Sequence, residues 1–430
     1  MPDRTYRIDL IDMVTAMGAA VDFVSPLVAG HHRRVSYFTL CIGKEAGIPE
    51  EQLREAYLAA SLHDIGAFSL QDRLDTLSFE QAKPDLHSRM GCIFLRRFGP
   101  FKNVAKIVRY HHRAWRNGEA SESDGNGVSI LSHLIHLSDR LDVLRDPERN
   151  ILSQAKSISA RICDGSGKLF MPEYVNAFSR LSEKEFFWLD SVSPFLPDVV
   201  RKLAGDITLD LDYAQMEDLS RLLSHIIDYK SPFTSTHSQG VSASAAKLAE
   251  ICGMNLDEQR QMRLAGLLHD IGKLSVPAEI LNKPSSLTDD ETFIIRGHTH
   301  NSRRLLEKIG GLGDIVEWAS SHHERLNGKG YPFHIDAEDL SLGARVMSVA
   351  DVFTALAEDR PYRDGMDRDS IIEVIRGMAE SGSLDQGIVN ALDESYDQVN
   401  NARMEAQNAA MLEYKEFLAE LELLKGCEEV

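Results

Sequence analysis

Residues 237–351 carry imidazole and carboxylate side chains of the kind that grip transition-metal ions: His237, the dipeptide His269-Asp270, His298, the pair His322-His323, and Asp351. These donors suit Fe, Mn, Zn or Ni, and the lack of thiolates among them argues against a structural zinc site. Seven such groups exceed the needs of one tetrahedral ion, and an Asp beside a His can bridge two. Two ions roughly 3.5–4 Å apart are a standard device for phosphoester hydrolysis, because they acidify and orient a shared water and neutralise phosphoryl charge. A lone histidine on an apolar helix is more often a core residue than a ligand. The ordered set H…HD…H…HH…D argues for a metal site.

The same order occurs earlier in the chain, as His31, His63-Asp64, His87, His111-His112 and Asp139. DFVSPLVAGH (22–31) and DYKSPFTSTH (228–237) share Asp, Ser, Pro and His at an offset of 206, and the two HD dipeptides share that offset. The later histidines recur at 211 and the final aspartate at 212. Anchors kept in order at a nearly constant offset mark an internal duplication. The chain therefore reads as a first domain over 1–205, a second over 206–400 and a terminal helix over 401–430. The first copy is a second candidate metal site. His136 matches no ligand of the second copy and is assigned to a helix surface or core.

The elements that must position these groups read as helices, so the expected fold is all-α, with tandem helical bundles. REAYLAASLHDIGAF and RQMRLAGLLHDIGKL carry apolar residues at helical spacing, with small residues that permit close helix contact. IVEWASSHHERL and LGARVMSVADVFTALAED have the same period, and strand-like alternation is rare. Turn residues fill the connectors, and SLTDDE offers Ser, Thr and Asp as helix N-caps. In the terminal helix Met404, Met411, Tyr414, Leu418 and Leu421 form one stripe, read as packing on its own domain, with a homodimer contact as the alternative.

The chain has 430 residues, 43% hydrophobic and 26% charged, as expected of a soluble protein with more than one core. A net charge of -19 argues against a nucleic-acid polymer as partner. It leaves room for a small anionic substrate, since bound metal reverses the local field. Five scattered cysteines suit a reducing compartment. No signal peptide and no membrane-length apolar run is present, so a cytoplasmic location without membrane contact is expected.

HDIGKL, HTHNS, HHERLNGKGYP, VADVFTAL and RPYR together resemble the HD-GYP family of bacterial cyclic di-GMP phosphodiesterases, over about residues 210–400. The resemblance implies a helical HD fold, a binuclear metal centre and cleavage of cyclic di-GMP to pGpG or GMP. It puts His237, His269, Asp270, His298, His322, His323 and Asp351 on the family's metal ligands, with Asp270 and Lys273 as catalytic residues. Lys273 falls on the family's phosphate-contacting lysine, Gly330 and Tyr331 on its GYP loop, and Arg360 and Arg363 on its basic pair. Two departures stand out. Phe233 occupies the place of a glutamate associated with a third metal, so two divalent ions are expected, Fe or Mn favoured over Mg, Ni or Zn. Thr354 occupies the place of an aspartate common in the family.

The implied reaction is in-line attack of activated water on one phosphorus, with the 3′ oxygen leaving and His300 as a candidate acid. The first copy keeps every ligand type but has Ala67 in place of Lys273, Arg113 in place of Glu324, AWRNGEASESDG in place of the GYP loop, and no RPYR. It reads as a degenerate HD domain, whether regulatory, structural or a separate phosphohydrolase. A mixed cyclic GMP-AMP or a linear dinucleotide is an alternative substrate. Other classes are a non-hydrolytic cyclic-dinucleotide receptor and a di-iron oxygenase, the latter disfavoured by the GYP loop and the arginine pair. With no receiver, PAS or cyclase motif in view, input is expected through the first copy or a separate signalling partner.

Overall fold

The computed structural model describes residues 4–22, 29–67, 85–121, 128–229, 234–283, 285–359 and 364–426. Regular structure is almost all helical, as the periodicities predict. The described strands are β1 (Tyr6–Asp9) and β2 (Thr208–Leu211), paired in a two-stranded sheet. Elements this short carry too little alternation to be read from sequence. No described helix is long and apolar enough to cross a membrane. Cys41, Cys92, Cys163 and Cys252 are free thiols, and Cys427 lies outside the described residues.

The chain forms two compact units, Asp9–Leu209, and Met1–Ile8 with Asp210–Val430. In the first unit α1 (Leu10–Asp22), α2 (His31–Glu45), α3 (Glu50–Leu62), α4 (Asp85–Leu95), α5 (Lys102–Arg109) and α6 (Ile130–Val143) carry or support the ligand-type residues. Helices α7 (Ile151–Asp164), α8 (Pro172–Ser182), α9 (Glu185–Ser191) and α10 (Leu196–Ala204) complete it. Helix α2 is the hub, packed on α1, α3, α6, α8 and α10.

In the second unit α11 (Tyr213–Asp228) leads to α12 (His237–Ile251) and α13 (Leu256–Leu268), followed by a 3-10 turn at Ile271–Ser275. Then come α14 (Ala278–Leu281), α15 (Asp289–Ile309), α16 (Asp314–Ser320), α17 (Leu342–Ala357), α18 (Arg368–Glu380), α19 (Gln386–Glu394) and α20 (Tyr396–Gly426). Helix α12 is rich in Ser, Ala and Gly and is buried on most sides. Its small side chains let α13, α17 and α20 close on it. At the α12–α13 crossing a Cβ on Gly266 would stand 2.5 Å from the Ser242 Cα. Of the candidate caps in SLTDDE, Thr288 starts α15: its hydroxyl accepts from the Glu291 amide, and the Glu291 carboxylate accepts from the Thr288 amide.

Helix α20 packs on its own unit, against α12. The buried face matches the expected stripe only in part: Leu421 is buried and the Tyr414 ring lies 4.8 Å from that of Tyr229, but Met404, Met411 and Leu418 are exposed, and Val399, Arg403, Ala410 and Phe417 are buried instead. Hydrophobic periodicity misplaced the face because Arg403 and Gln407, which hydrogen-bond each other, lie on the packed side.

The turn after each HD dipeptide sits directly on the helix carrying the next histidine. A Cβ on Gly272 would lie 1.9 Å from the His298 carbonyl oxygen, and one on Gly66 would lie 2.2 Å from that of His87. The Ser302 hydroxyl donates to the His269 carbonyl (2.8 Å) and accepts from the Gly272 amide (2.9 Å), tying α15 to the turn. Gly272→Ala is expected to cost about 1–3 kcal/mol by forcing these backbones apart. Gly377→Ala, at an open helical position with nothing within 4 Å, is expected to gain up to about 1 kcal/mol. Denaturant melts of the two variants check both signs.

Candidate metal centre

The structure brings all seven expected groups of the second unit together. His237 opens α12, His269 caps the C-terminus of α13 with Asp270 next to it, and His298 lies within α15. His322 and His323 follow α16, and Asp351 lies on α17. Asp270 is central. Its Oδ2 is 3.2 Å from His269 Nε2 and 3.9 Å from His237 Nε2, while its Oδ1 is 3.3 Å from His298 Nε2 and 4.0 Å from His322 Nε2. Asp351 Oδ1 is 3.5 Å from His237 Nε2 and 4.0 Å from His269 Nε2, and its Oδ2 is 3.9 Å from His323 Nδ1. One carboxylate thus faces two groups of nitrogens, one with each oxygen.

The imidazoles are locked. His269, His298 and His322 each donate Nδ1–H to the carbonyl three residues back, at 2.7, 2.6 and 2.7 Å. Their Nε2 lone pairs therefore point inward. His298 and His322 Nε2 are only 3.3 Å apart, and buried His269 Nε2 has no hydrogen-bond partner. Converging lone pairs repel one another until a cation lies among them, so the donor set fits divalent metal.

Glu358 orients His237: its Oε1 accepts from His237 Nδ1 at 2.9 Å, and its Oε2 accepts from Gln407 of α20 at 3.1 Å. This accounts for the departure at Thr354. In the first unit the matching position is Asp142, whose Oδ2 accepts from His31 Nδ1 at 2.8 Å. In the second unit Thr354 turns to Ser244, and the carboxylate comes from Glu358, about one helical turn further on. Neither Glu358 nor Gln407 carries a motif that marks it as an orienting group in the sequence.

Around the cluster, Lys273 Nζ lies 2.5 Å from Asp270 Oδ2. Gly330 sits against Glu324, where a Cβ would be 2.5 Å from the Glu324 Cα. The buried Glu324 carboxylate accepts from the Phe333 and Ile335 amides at 2.7 and 3.1 Å and so shapes the loop. That loop sets the Tyr331 ring 4.9 Å from the His323 ring, with the Arg296 guanidinium 4.4 Å from the Tyr331 ring centre. Arg296 carries no motif and was missed. His300 is exposed, with its ring 6.3 Å from Phe333. Phe233, Arg360 and Arg363 lie outside the described residues.

The first unit gathers His31, His63, Asp64, His87, His111, His112 and Asp139 in the same way, and His136 is buried beside Phe170 at a ring distance of 5.3 Å.

Helical units that carry a His-Asp dipeptide at the heart of a ligand cluster define the HD-domain class. A family model described as HD domain matches residues 28–144, and a second model with the same description matches 221–388. The chain is 30% identical over 399 residues to 3′3′-cGAMP-specific phosphodiesterase 1 of Vibrio cholerae, covering 90% of this chain and 92% of that protein. It is 38% identical over 193 residues to a cyclic di-GMP phosphodiesterase of Pseudomonas aeruginosa, covering 44% and 45% of the two chains. The crystal structure of a cyclic GMP-AMP specific phosphodiesterase of V. cholerae shares the fold, with a TM-score of 0.62, 23% identity, and coverage of 91% of this chain and 98% of that one. The chain belongs to the HD-domain phosphodiesterase family.

Burial disfavours a charged His237, yet the Glu358 and Asp351 carboxylates outweigh burial and push its pKa up to about 10. The two carboxylates thus favour a charged His237, and a metal at Nε2 would have to displace that proton. Loading is expected to weaken as the pH falls from about 8 to about 6, because protons compete for that lone pair. Glu358→Gln is expected to lower metal affinity about 10–100-fold and to flatten this pH dependence. Manganese titrations of the stripped chain at the two pH values check both.

Proposed function

We propose that the second unit is a metal-dependent phosphodiesterase that opens the ring of a cyclic dinucleotide, with cyclic di-GMP or 3′3′-cGAMP as substrate. The observation that carries this reading is the largely buried seven-residue His/Asp cluster with Lys273 set on its central carboxylate, Asp270. Two divalent ions held by His237, His269, Asp270, His298, His322, His323 and Asp351 would supply an activated water and neutralise phosphoryl charge.

Water adds across one P–O3′ bond: its oxygen bonds to phosphorus, the 3′ oxygen departs with a proton, and a linear dinucleotide with a 5′ phosphate remains. Asp270 presents an oxygen to each group of imidazoles, and Glu358 holds His237 so that Nε2 faces both carboxylates. Lys273, about one-fifth exposed at the rim, places a fixed cation beside the reacting phosphate, where negative charge grows. Tyr331 presents an aromatic face next to His323, and Arg296 adds a second cation on that side, a pairing that suits a base above and a phosphate beside it. Arg360 and Arg363 are proposed phosphate contacts on the strength of the motif alone.

The relatives point to two substrates. The one matching most of this chain, both units included, is named for 3′3′-cGAMP, which favours the mixed dinucleotide; the one with higher identity over the site-bearing stretch is named for cyclic di-GMP. Purified chain reconstituted with manganese and offered each dinucleotide in turn tests the proposal by product analysis. His269→Ala is expected to abolish turnover, and Lys273→Ala to lower kcat about 100- to 1,000-fold with metal content unchanged. Metal-loaded wild-type chain that leaves both rings intact would sink the proposal.

A further inference from the structure

The first unit repeats the ligand geometry of the second pair by pair. His31 Nε2 lies 3.4 Å from Asp139 Oδ1 and 3.9 Å from Asp64 Oδ2, against 3.5 and 3.9 Å in the second unit. His87 Nε2 and His111 Nε2 lie 3.2 and 3.5 Å from Asp64 Oδ1, where the second unit has 3.3 and 4.0 Å. His63 and His111 donate Nδ1–H to the carbonyls of Ala60 and Val108 at 2.8 and 2.7 Å, so their Nε2 lone pairs also converge. Asp64 Oδ1, Asp139 Oδ1 and His111 Nε2 are buried without hydrogen-bond partners. A chain that no longer needed an ion here would have little reason to keep three orphaned polar atoms pointing at one spot.

What differs is the substrate side. Ala67, fully buried, replaces the ammonium of Lys273. Arg140 lies where the second unit has Val352, at the same 212-residue offset as the final aspartates. Its Nη2 and Nε bind Asp139 Oδ2 at 2.6 and 3.2 Å. That oxygen is capped, while Oδ1 is left aimed at His31 and His63. The matching Asp351 side chain is 10% exposed and His323 is 25% exposed; Asp139 and His112 are 1% and 6% exposed. Metal sites that catalyse keep an open position, and sites that only stabilise are closed.

We propose that the first unit holds its own divalent metal centre, with Arg140 closing it, so that it stabilises the fold and turns over no phosphodiester. The claim concerns a different set of residues from the proposed active site and does not rest on the substrate assigned there.

The test uses full-length chain, stripped by chelator, reloaded with manganese, desalted and measured for metal per chain by mass spectrometry. His269→Ala, which disables the second centre, is expected to keep about half of the wild-type manganese, and His63→Ala about half as well. Manganese is expected to raise the melting temperature of the His269→Ala chain, because an ion that binds only the folded state stabilises it. That chain is expected to hydrolyse neither a cyclic dinucleotide nor bis(p-nitrophenyl) phosphate. A His269→Ala chain that holds no manganese, or a His63→Ala chain that holds the full wild-type amount, overturns the proposal. Hydrolysis by loaded His269→Ala overturns the closure. Should His63→Ala fail to fold, Asp64→Asn keeps the side-chain shape and answers the same question, and the metal content of His269→Ala decides on its own.

Discussion

The structure depends on burying carboxylates among imidazoles. Asp270 and Asp351 are withdrawn from water, and isolated anions in such a place are costly. Burial alone would raise their pKa values, yet His269 and Lys273 hold Asp270, and His237 and His322 hold Asp351, well below the usual carboxylate range. Burial meanwhile drives His323 down to about 3, with His322 also lowered, so those rings stay neutral and keep their lone pairs. Anions and neutral donors directed at one point make a cation site. The surrounding helices must hold that directionality against its electrostatic cost, which is why backbone carbonyls fix ring after ring.

This constraint explains the packing. A histidine that donates to the carbonyl three residues back is held at the end or in the body of a helix, so each ligand is only as well placed as its helix. Close approach then becomes a condition of the chemistry. Gly272 and Gly66 let the HD turn rest on the neighbouring helix, and Gly266 lets α13 rest on α12. The two units share this spine of contacts and differ in the cation that meets the carboxylates: Lys273 on Asp270 in one, the buried Arg140 on Asp139 in the other.

The clustering of these His and Asp side chains was legible in the sequence because the set is written twice, in order, at nearly constant offsets, and the helices because their apolar period is regular. The two-stranded sheet and the inner face of α20 were not. The strands are four residues long, and the packed face of α20 carries Arg403 and Gln407, which a hydrophobicity pattern counts as solvent-facing. The orienting carboxylate was misjudged for a similar reason. Position 354 holds Thr where the first unit has Asp142, and three-dimensional packing supplies the same charge from residue 358.

That exchange bears on how the two units came to differ. In the first unit Asp142 orients His31 and is itself held by Arg34, at 2.5 Å from Nε and 3.0 Å from Nη2, so the orienting group is anchored by α2, the helix that carries the ligand. In the second unit Glu358 stands at the end of α17 and its second oxygen is held by Gln407. The histidine that opens α12 is thereby connected to α20 through two hydrogen bonds. A terminal helix that sequence reading treats as packing material thus reaches the His/Asp cluster, and its hold on Glu358 is part of what keeps His237 aimed inward.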